Sequence, residues 1–371
     1  MKDVQIVGAG PAGLALANLL ADKHINGKPI SFDILDKEDS AHESCRASSL
    51  QPRSFGFFES LKILDLVLKN ASMLKGKQVY VDGNATEFTS FVDPETGKSP
   101  ICIRQNVIEA LLVERLKSLG HRINYSQELR KLKQAEDYVR FDTYSRTKYS
   151  IIGTAKVLVG CDGANSISRK LALIPFAEED QKENSFVGDL FIDTDLALDQ
   201  MHYFVQPDSR LVMVPLPKAG MFRVSGATSM PKGTSGDDVV GQLLEVNELF
   251  ERGAKVECVA NFNFYRMRTG IASYGFYDRV FLCGDSWHVV PPNGGQGLSL
   301  AFEDAQAICK PLVKFIETGD KSELEKTYKE LKTKIEKRLA RALEAKKSHL
   351  AENVGQLDGK AESEIVINEE L

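Results

Sequence analysis

The stretch Val4-Gln5-Ile6-Val7-Gly8-Ala9-Gly10-Pro11-Ala12-Gly13 near the start of the chain decides the fold. A short β-branched run leads into a G-x-G-x-x-G turn, and residues 14–20 then show the apolar spacing of a helix. Residues 30–35 are a second predicted strand, which Asp36 closes. This order of strand, glycine turn, helix, strand and acid predicts a dinucleotide site on a parallel sheet.

Each part of this unit has a physical task. The glycines allow a tight turn and let the backbone approach a pyrophosphate at the helix N-terminus, and the acid accepts hydrogen bonds from a ribose. On this element alone, NAD and FAD both remain possible cofactors. The cofactor-binding residues predicted here are Gly8, Gly10, Ala12, Gly13, Asp36 and Lys37.

Two later stretches repeat the arrangement of a strand followed by an aspartate. The D-G motif is Gly160-Cys161-Asp162-Gly163-Ala164-Asn165-Ser166, and the G-D motif is Val280-Phe281-Leu282-Cys283-Gly284-Asp285, followed by a run rich in Pro and Gly. With the N-terminal turn, this order resembles the FAD-dependent aromatic hydroxylases. That family contains para-hydroxybenzoate hydroxylase, ubiquinone-pathway hydroxylases and tetracycline-modifying monooxygenases. The resemblance runs from residue 4 to about residue 310.

The resemblance implies further contacts with FAD. Arg46 is similar to the family's arginine near the pyrophosphate, where a planar guanidinium fork suits phosphate oxygens. Gln105, in preference to Arg104, is similar to the residue that holds the ribityl or phosphate region. A surface or capping role is the alternative for Arg46 and Gln105, and a helix N-cap role for Asp162. The implied contacts are Arg46, Gln105, Asp162, Gly284, Asp285, Pro292, Gly294, Gly295, Gly297 and Leu298.

The resemblance also implies an activity. NADPH or NADH reduces FAD, O2 forms a flavin C4a-hydroperoxide, and its distal oxygen hydroxylates a small aromatic or polyketide-like substrate. Because the cofactor carries this chemistry, no catalytic side chain is predicted. Two alternatives remain, namely an FAD-dependent reductase or oxidase without oxygen insertion, and a redox-inactive FAD- or ligand-binding protein. A flavin halogenase is disfavoured, because its W-x-W-x-I-P motif needs two tryptophans and this chain has one.

The chain departs from the family pattern beside the G-D motif. Ser286 and Trp287 replace two small residues, and Ser299 stands where asparagine is common. Trp287 either shapes a pocket near the flavin or packs in the core, and His288 is either structural or a base. A hydrolase built on Ser286, His288 and Asp285 is disfavoured, because Ser286 lacks the G-x-S-x-G elbow of a nucleophile.

The patterns predict an α/β fold with a parallel-sheet FAD-binding domain that is interrupted by a mainly antiparallel substrate domain. A C-terminal helical region and a disordered tail follow. The FAD-binding domain takes residues 1–78, 101–172 and 270–312, the substrate domain 79–100 and 173–269, the helical region 313–350 and the tail 351–371.

Three local expectations complete the prediction of structure. Residues 79–92 are expected to be one strand, and residues 107–119 a helix with Glu109 in its first turn. The C-terminal helix is rich in basic residues, which form a solvated face or else contact anionic lipid or a partner. Alternation in the substrate domain suggests candidate pocket residues, which are His202, Phe204, Met213, Phe222 and Arg223. For the apolar residues among them, core packing is the alternative.

Composition limits the classes of partner. A net charge of -5 over 371 residues gives no electrostatic reason to expect nucleic acid. No run of about 20 apolar residues is present, so no transmembrane helix is expected, and the N-terminus shows no leader pattern, which predicts a cytoplasmic protein. The scattered cysteines are expected to be reduced thiols, and no metal site is predicted. The expected partners are a small aromatic molecule and O2, and the oligomeric state stays open.

Overall fold

The structure, a computed structural model, describes residues 1–41, 49–206, 209–228, 230, 233–246, 249, 255–290 and 296–355. In this part of the chain, two eight-stranded sheets form the framework. The helices are α1 (Pro11–Ala21), α2 (Phe55–Ser60), α3 (Leu64–Lys69), α4 (Gln105–Ser118), α5 (Ile167–Leu171), α6 (Gly236–Val246), α7 (Gln296–Thr318) and α8 (Ser322–Gly355), with 3-10 turns at Pro52–Ser54 and Gly284–Ser286. The strands are β1 (Lys2–Val7), β2 (His24–Ile25), β3 (Lys28–Pro29), β4 (Phe32–Leu35), β5 (Ser49–Leu50), β6 (Ser72–Met73), β7 (Gly76–Val81), β8 (Asn84–Ser90), β9 (Ile101–Cys102), β10 (Ile123–Asn124), β11 (Glu128–Gln134), β12 (Val139–Tyr144), β13 (Ile152–Gly160), β14 (Phe176–Asp193), β15 (Gln200–Gln206), β16 (Ser209–Pro215), β17 (Met221–Thr228), β18 (Lys255–Ala272), β19 (Phe276–Tyr277), β20 (Val280–Leu282) and β21 (His288–Val289).

In the first sheet, four parallel strands lie in the order β4, β1, β13, β20. Their register places Leu35, Val7, Gly160 and Leu282 in one row. Strand β10 pairs with β4 at one side, and β12 and β11 continue the sheet in antiparallel fashion from the first part of β13. The segments that follow the four parallel strands therefore emerge side by side at one edge.

The first sheet is covered by helices because its central strands are apolar on both faces. Strand β1 is buried from Val4 to Val7, and the last residues of β13 are buried as well. Helix α1 begins at Pro11, whose fixed φ suits the first helical position, and packs against β1, β4, α4 and α7. The glycine turn is thus held between a buried strand and a buried helix.

The second sheet runs β21, β18, β14, β17, β16, β15, β7, β8, and among these pairs β15 and β7 are parallel. One face packs against α6, where Phe222 and Val239 share a buried apolar cluster. On the opposite face, Met221 clusters with Leu74 and Cys102, which lie in the region of the small three-stranded sheet of β5, β9 and β6. The second sheet therefore packs against α6 on one face and against the small sheet on the other.

The predicted fold class is confirmed, but two local expectations differ from the structure, and two elements were not predicted. Residues 79–92 are the hairpin of β7 and β8, because Asp82 and Gly83 adopt φ of 47° and 72° and form a two-residue turn. Glu109 lies in the second turn of α4 and is buried, because α4 already begins at Gln105. The sequence patterns did not indicate α6 or the small β2–β3 hairpin.

The C-terminal helix α8 packs against α7, and its Tyr328 reaches β20. The buried residues of α8 follow helical spacing and are Leu324, Tyr328, Leu331 and Ile335. The helix continues to Gly355, beyond the end predicted from the sequence. Among the described residues, no helix is long and apolar enough to span a membrane. The domain limits proposed from the sequence stay predictions.

Candidate functional site

The glycine turn after β1 is closely packed on one side and open on the other. Gly8 has a φ of 104°, and a Cβ there would clash with the carbonyl oxygen of Cys161. A Cβ on Gly13 would clash with the carbonyl oxygen of Gly8. At Gly10, by contrast, an added Cβ meets no described atom within 4 Å, and Gly10 caps α1 without a side-chain hydrogen bond. The first N–H groups of α1 therefore face space that an anion can occupy.

Asp36 holds the glycine turn from the neighbouring strand. Its buried carboxylate accepts the N–H of Ala9 on Oδ2 at 2.6 Å and the N–H of Glu38 on Oδ1 at 2.8 Å. A carboxylate has about four acceptor sites, so both oxygens can accept further donors such as ribose hydroxyls. Lys37 is exposed and pairs with Glu38 at 3.7 Å.

Asp162 makes the contacts of a helix-capping residue. Its Oδ2 accepts the N–H groups of Ile167 and Ser168, at 2.8 and 2.9 Å, at the start of α5. Its Oδ1 accepts the hydroxyl of Ser166, which in turn accepts the N–H of Arg169. The N-cap of α5 is Ser166, so Asp162 supports the start of the helix from beside the cap, and a contact with the cofactor stays a prediction.

The Gly284–Ser286 turn contains one exposed acidic residue, Asp285. Asp285 is exposed, whereas every other residue from Val280 to His288 is buried. Gly284 has a φ of 66°, and a Cβ there would lie 2.9 Å from the Cβ of Ala12 in α1. The G-D motif therefore packs directly on the first turn of the dinucleotide helix.

Ser286 and Arg169 join the D-G and G-D motifs. The hydroxyl of Ser286 lies 2.6 Å from the carbonyl oxygen of Gly160, and Arg169 Nη1 donates to the carbonyl oxygen of Ser286 at 2.6 Å. Ser286 is fully buried, and the partner of His288 Nε2 is Asp304 rather than Ser286. Ser286 and His288 therefore do not form a pair of nucleophile and base, and the geometry gives no support for a hydrolase.

Trp287 and His288 are both buried beside the turn. The Trp287 ring packs edge-on against Tyr328 at 5.0 Å and tilts against His288 at 5.3 Å, so it packs in the core. His288 Nε2 lies 2.7 Å from Asp304 Oδ2. Burial alone lowers the pKa of His288, but the charge and hydrogen bond of Asp304 outweigh it and raise the pKa above its usual value.

The remaining predicted contacts lie at helix starts or outside the described residues. Gln105 is half-buried at the start of α4 and donates to Glu109 Oε1 at 2.8 Å. Gly297 and buried Leu298 lie in the first turn of α7, and a Cβ on Gly297 meets no described atom within 4 Å. The predicted contacts outside the described residues are Arg46, Pro292, Gly294 and Gly295.

The sequence as a whole matches a family described as FAD binding domain over residues 1–342. The chain belongs to this FAD-binding family. The rifampicin monooxygenase of Streptomyces venezuelae is 29% identical over 316 residues, which are 82% of this chain and 62% of that protein. The 6-methylpretetramide 4-monooxygenase of Streptomyces rimosus is 25% identical over 332 residues, 88% of this chain and 58% of that protein. This chain therefore spans less than two thirds of the length of these relatives.

A solved structure shares the fold of this FAD-binding chain. The crystal structure of p-nitrophenol 4-monooxygenase from Pseudomonas putida matches with a TM-score of 0.81 at 21% identity, and covers 96% of this chain and 93% of that chain. The predicted family, fold class and FAD cofactor are confirmed. The open space at Gly10 fits the pyrophosphate of FAD, and exposed Asp285 fits a polyol.

The candidate pocket residues of the second sheet separate onto its two faces. Phe204, Met213 and Phe222 belong to the cluster sealed by α6, so they pack in the core. His202 lies on the same face, where Nε2 bonds the carbonyl oxygen of Ala197 at 2.8 Å and burial lowers the pKa of the imidazole.

Arg223 lies on the opposite face, in a buried polar cluster that alternation alone did not reveal. Its Nε and Nη2 both lie 2.8 Å from Asp189 Oδ1. Asp189 Oδ2 also faces Arg104 Nη2 at 3.3 Å and accepts from Asn261 at 3.2 Å. Arg104 precedes Gln105, so the cluster joins the second sheet to the start of α4.

Proposed function

We propose that this chain is an FAD-dependent monooxygenase that uses NADPH or NADH and O2 to hydroxylate a small aromatic or polyketide-like substrate. The observation that supports it most is the common edge of β4, β1, β13 and β20, where the glycine turn, the D-G motif and the G-D motif meet. Two relatives are named as monooxygenases of rifampicin and of 6-methylpretetramide. These names favour oxygen insertion over simple reduction or oxidation.

The residues of the edge would divide the task of binding. The N–H groups of α1 would bind the pyrophosphate, Asp36 a ribose, and Asp285 the ribityl chain. FAD, once bound, supplies hydride acceptance from NAD(P)H and the reaction with O2. The chain itself would contribute orientation and exclusion of water.

The face of the second sheet opposite α6 is the proposed substrate side. It carries Asp189, which pairs both with Arg223 and with Arg104, one residue before the predicted cofactor contact Gln105. A buried ion cluster contributes little net stability, so its presence between the two sheets supports a role in organising a binding surface. The face sealed by α6 packs an apolar cluster, beside which His202 contacts Tyr80 and the carbonyl oxygen of Ala197.

The test begins with reconstitution. Purified protein is loaded with FAD, and NADPH and NADH oxidation is measured in air with and without a panel of phenols, polycyclic phenols and ansamycins. The proposal predicts that at least one aromatic compound stimulates NAD(P)H oxidation and gains one oxygen atom by mass spectrometry. Labelling with 18O2 should place that oxygen in the product.

Other outcomes identify the alternatives. Stimulated NAD(P)H oxidation that yields only hydrogen peroxide, with every compound unchanged, would make the chain a reductase or oxidase. Bound FAD that NADPH and NADH cannot reduce, with or without the panel, would indicate a redox-inactive binding protein. Either result would replace hydroxylation as the function.

A further inference from the structure

The buried pair of His288 and Asp304 lies directly behind the Gly284–Ser286 turn. Both side chains are 1% exposed, and His288 Nε2 lies 2.7 Å from Asp304 Oδ2. The same carboxylate oxygen accepts the N–H of Gly284 at 3.0 Å. Asp304 Oδ2 on α7 therefore contacts Gly284 before Asp285 and His288 after it.

Stability alone does not account for this pair. A buried ion pair loses so much hydration that apolar residues of similar volume are often equally stabilising. In addition, His288 Nδ1 and Asp304 Oδ1 are buried and have no hydrogen-bond partner among the described residues. A buried polar atom without a hydrogen bond lowers the free energy of unfolding. Apolar residues at these two positions would avoid that cost.

The position of Asp285 supplies a reason. Its carboxylate is exposed between Gly284 and His288, the two residues that Asp304 binds. Gly284 also packs on Ala12 at the start of α1, so a small rotation of the turn would change the position of Asp285 relative to the glycine turn.

We propose that His288 and Asp304 are positioning residues that fix the turn so that the carboxylate of Asp285 is aimed at the cofactor. The inference rests on the proposed function only in that Asp285 is assigned to the ribityl chain of FAD. Neither residue of the pair touches the reacting atoms; both act through the backbone of the turn.

Protonation of His288 should control how firmly the turn is held. The charged groups that face the imidazole are Asp304 on α7, Asp285 on the turn and Arg338 on α8. After the effect of burial, which acts in the opposite direction, the charge and hydrogen bond of Asp304 raise the pKa of His288. The imidazolium therefore persists to a higher pH than that of an ordinary histidine.

Two further titratable groups lie nearby and stay neutral. A hydrogen bond with Cys161 and burial raise the pKa of Cys283, and burial raises the pKa of Tyr328. As pH rises through the raised pKa of His288, the proton leaves and the attraction to Asp304 ends. The stabilisation of the turn is complete below the usual histidine pKa and is lost on the alkaline side.

The experiment measures FAD dissociation constants by flavin fluorescence between about pH 6 and about pH 10. It compares the parent with His288→Ala, His288→Gln and Asp304→Asn, and uses His202→Gln as the matched buried-histidine control. Affinity of the parent should fall on the alkaline side. His288→Ala should weaken FAD by about tenfold to a hundredfold at neutral pH, the scale of a charge-assisted hydrogen bond.

The conservative variants separate positioning from folding. Glutamine keeps a donor without a titrating charge, so His288→Gln should recover part of the affinity and abolish its alkaline loss. Asp304→Asn should hold affinity near the alkaline value throughout, because buried His288 is then neutral. His202→Gln should keep the parent's pH profile even if the unfolding midpoint falls.

Two results would overturn the inference while the proposed function stands. One is a parent FAD affinity that stays constant over the whole pH range. The other is a folded His288→Gln or Asp304→Asn protein that keeps the parent's profile. A parent that binds no FAD at any pH would instead overturn the proposed function.

Discussion

The hydroxyl of Ser286 lies 2.6 Å from the carbonyl oxygen of Gly160, across 126 positions of sequence. It also lies 2.9 Å from the carbonyl oxygen of Cys283 and accepts the N–H of that residue at 3.0 Å. Ser286 thus connects the end of β13 to the turn after β20. Its hydroxyl therefore links the D-G and G-D motifs.

Replacing this hydroxyl should reduce stability measurably. Ser286→Ala is expected to lower the free energy of unfolding by about 1 kcal/mol, the net value of a typical buried hydrogen bond. Ser168→Ala is the control, because the Ser168 hydroxyl is buried without a partner among the described residues. It should be neutral or slightly stabilising in the same urea titration. Equal losses in the two variants would mean that the bond to Gly160 contributes nothing.

Alanine substitutions at Gly13 and Gly10 should affect different properties, namely folding at Gly13 and FAD affinity at Gly10. Gly13→Ala should prevent folding, because its Cβ would clash with the carbonyl oxygen of Gly8. Gly10→Ala should cost the apoprotein at most about 1 kcal/mol, the scale of an N-cap change, because no described atom lies near its Cβ. FAD titration of Gly10→Ala should show a large loss of affinity. Unchanged affinity would exclude a pyrophosphate in front of α1.

Asp36 should matter for FAD more than its neighbour on the same strand. Asp36→Ala removes the acceptor of the Ala9 N–H and should weaken FAD by an amount on the order of 1 to 3 kcal/mol. Asp33→Ala removes a half-exposed pair with Lys2 at 3.1 Å and should change affinity little. Dissociation constants from flavin fluorescence test both. Similar affinities for the two variants would contradict the ribose assignment.

The described buried cysteines should resist alkylation in the native protein. Burial raises the pKa of Cys309 to about 11, and the hydrogen bond with Cys161 together with burial raises that of Cys283. Because the thiolate is the reactive form, neither should react with iodoacetamide at neutral pH until denaturant is added. Peptide mapping by mass spectrometry gives the result. Rapid native labelling of Cys283 would show that the turn opens.

Much of the cofactor edge could be predicted from the sequence because its signals are local. Apolar runs marked β1 and β13, and glycines marked the places where a Cβ cannot fit, as Gly8 and Gly13 now show. The hairpin of β7 and β8 was also signalled by Asp82-Gly83, but the surrounding alternation was interpreted as one strand.

The partners of the site residues could not be predicted, because nothing local encodes them. Asp304 lies on α7, a different element from the turn that it holds, and Asp189 on β14 meets Arg104 at the start of α4. Asp162 ends a strand, as expected, but its acceptors are used on α5. Such pairings depend on how elements pack, and periodicity does not contain that information.

The sequence by itself determined the family, the FAD cofactor and the order of the three motifs, because strand patterns, glycine requirements and motif spacing are properties of short segments. Only the tertiary structure decided which face of the second sheet is covered by α6. The alternation of side chains along a strand places Phe222 and Arg223 on opposite faces. The same alternation would be seen whichever of the two faces a helix covered. The packing of α6 over Phe222 made that choice and left Arg223, paired with Asp189, on the opposite face.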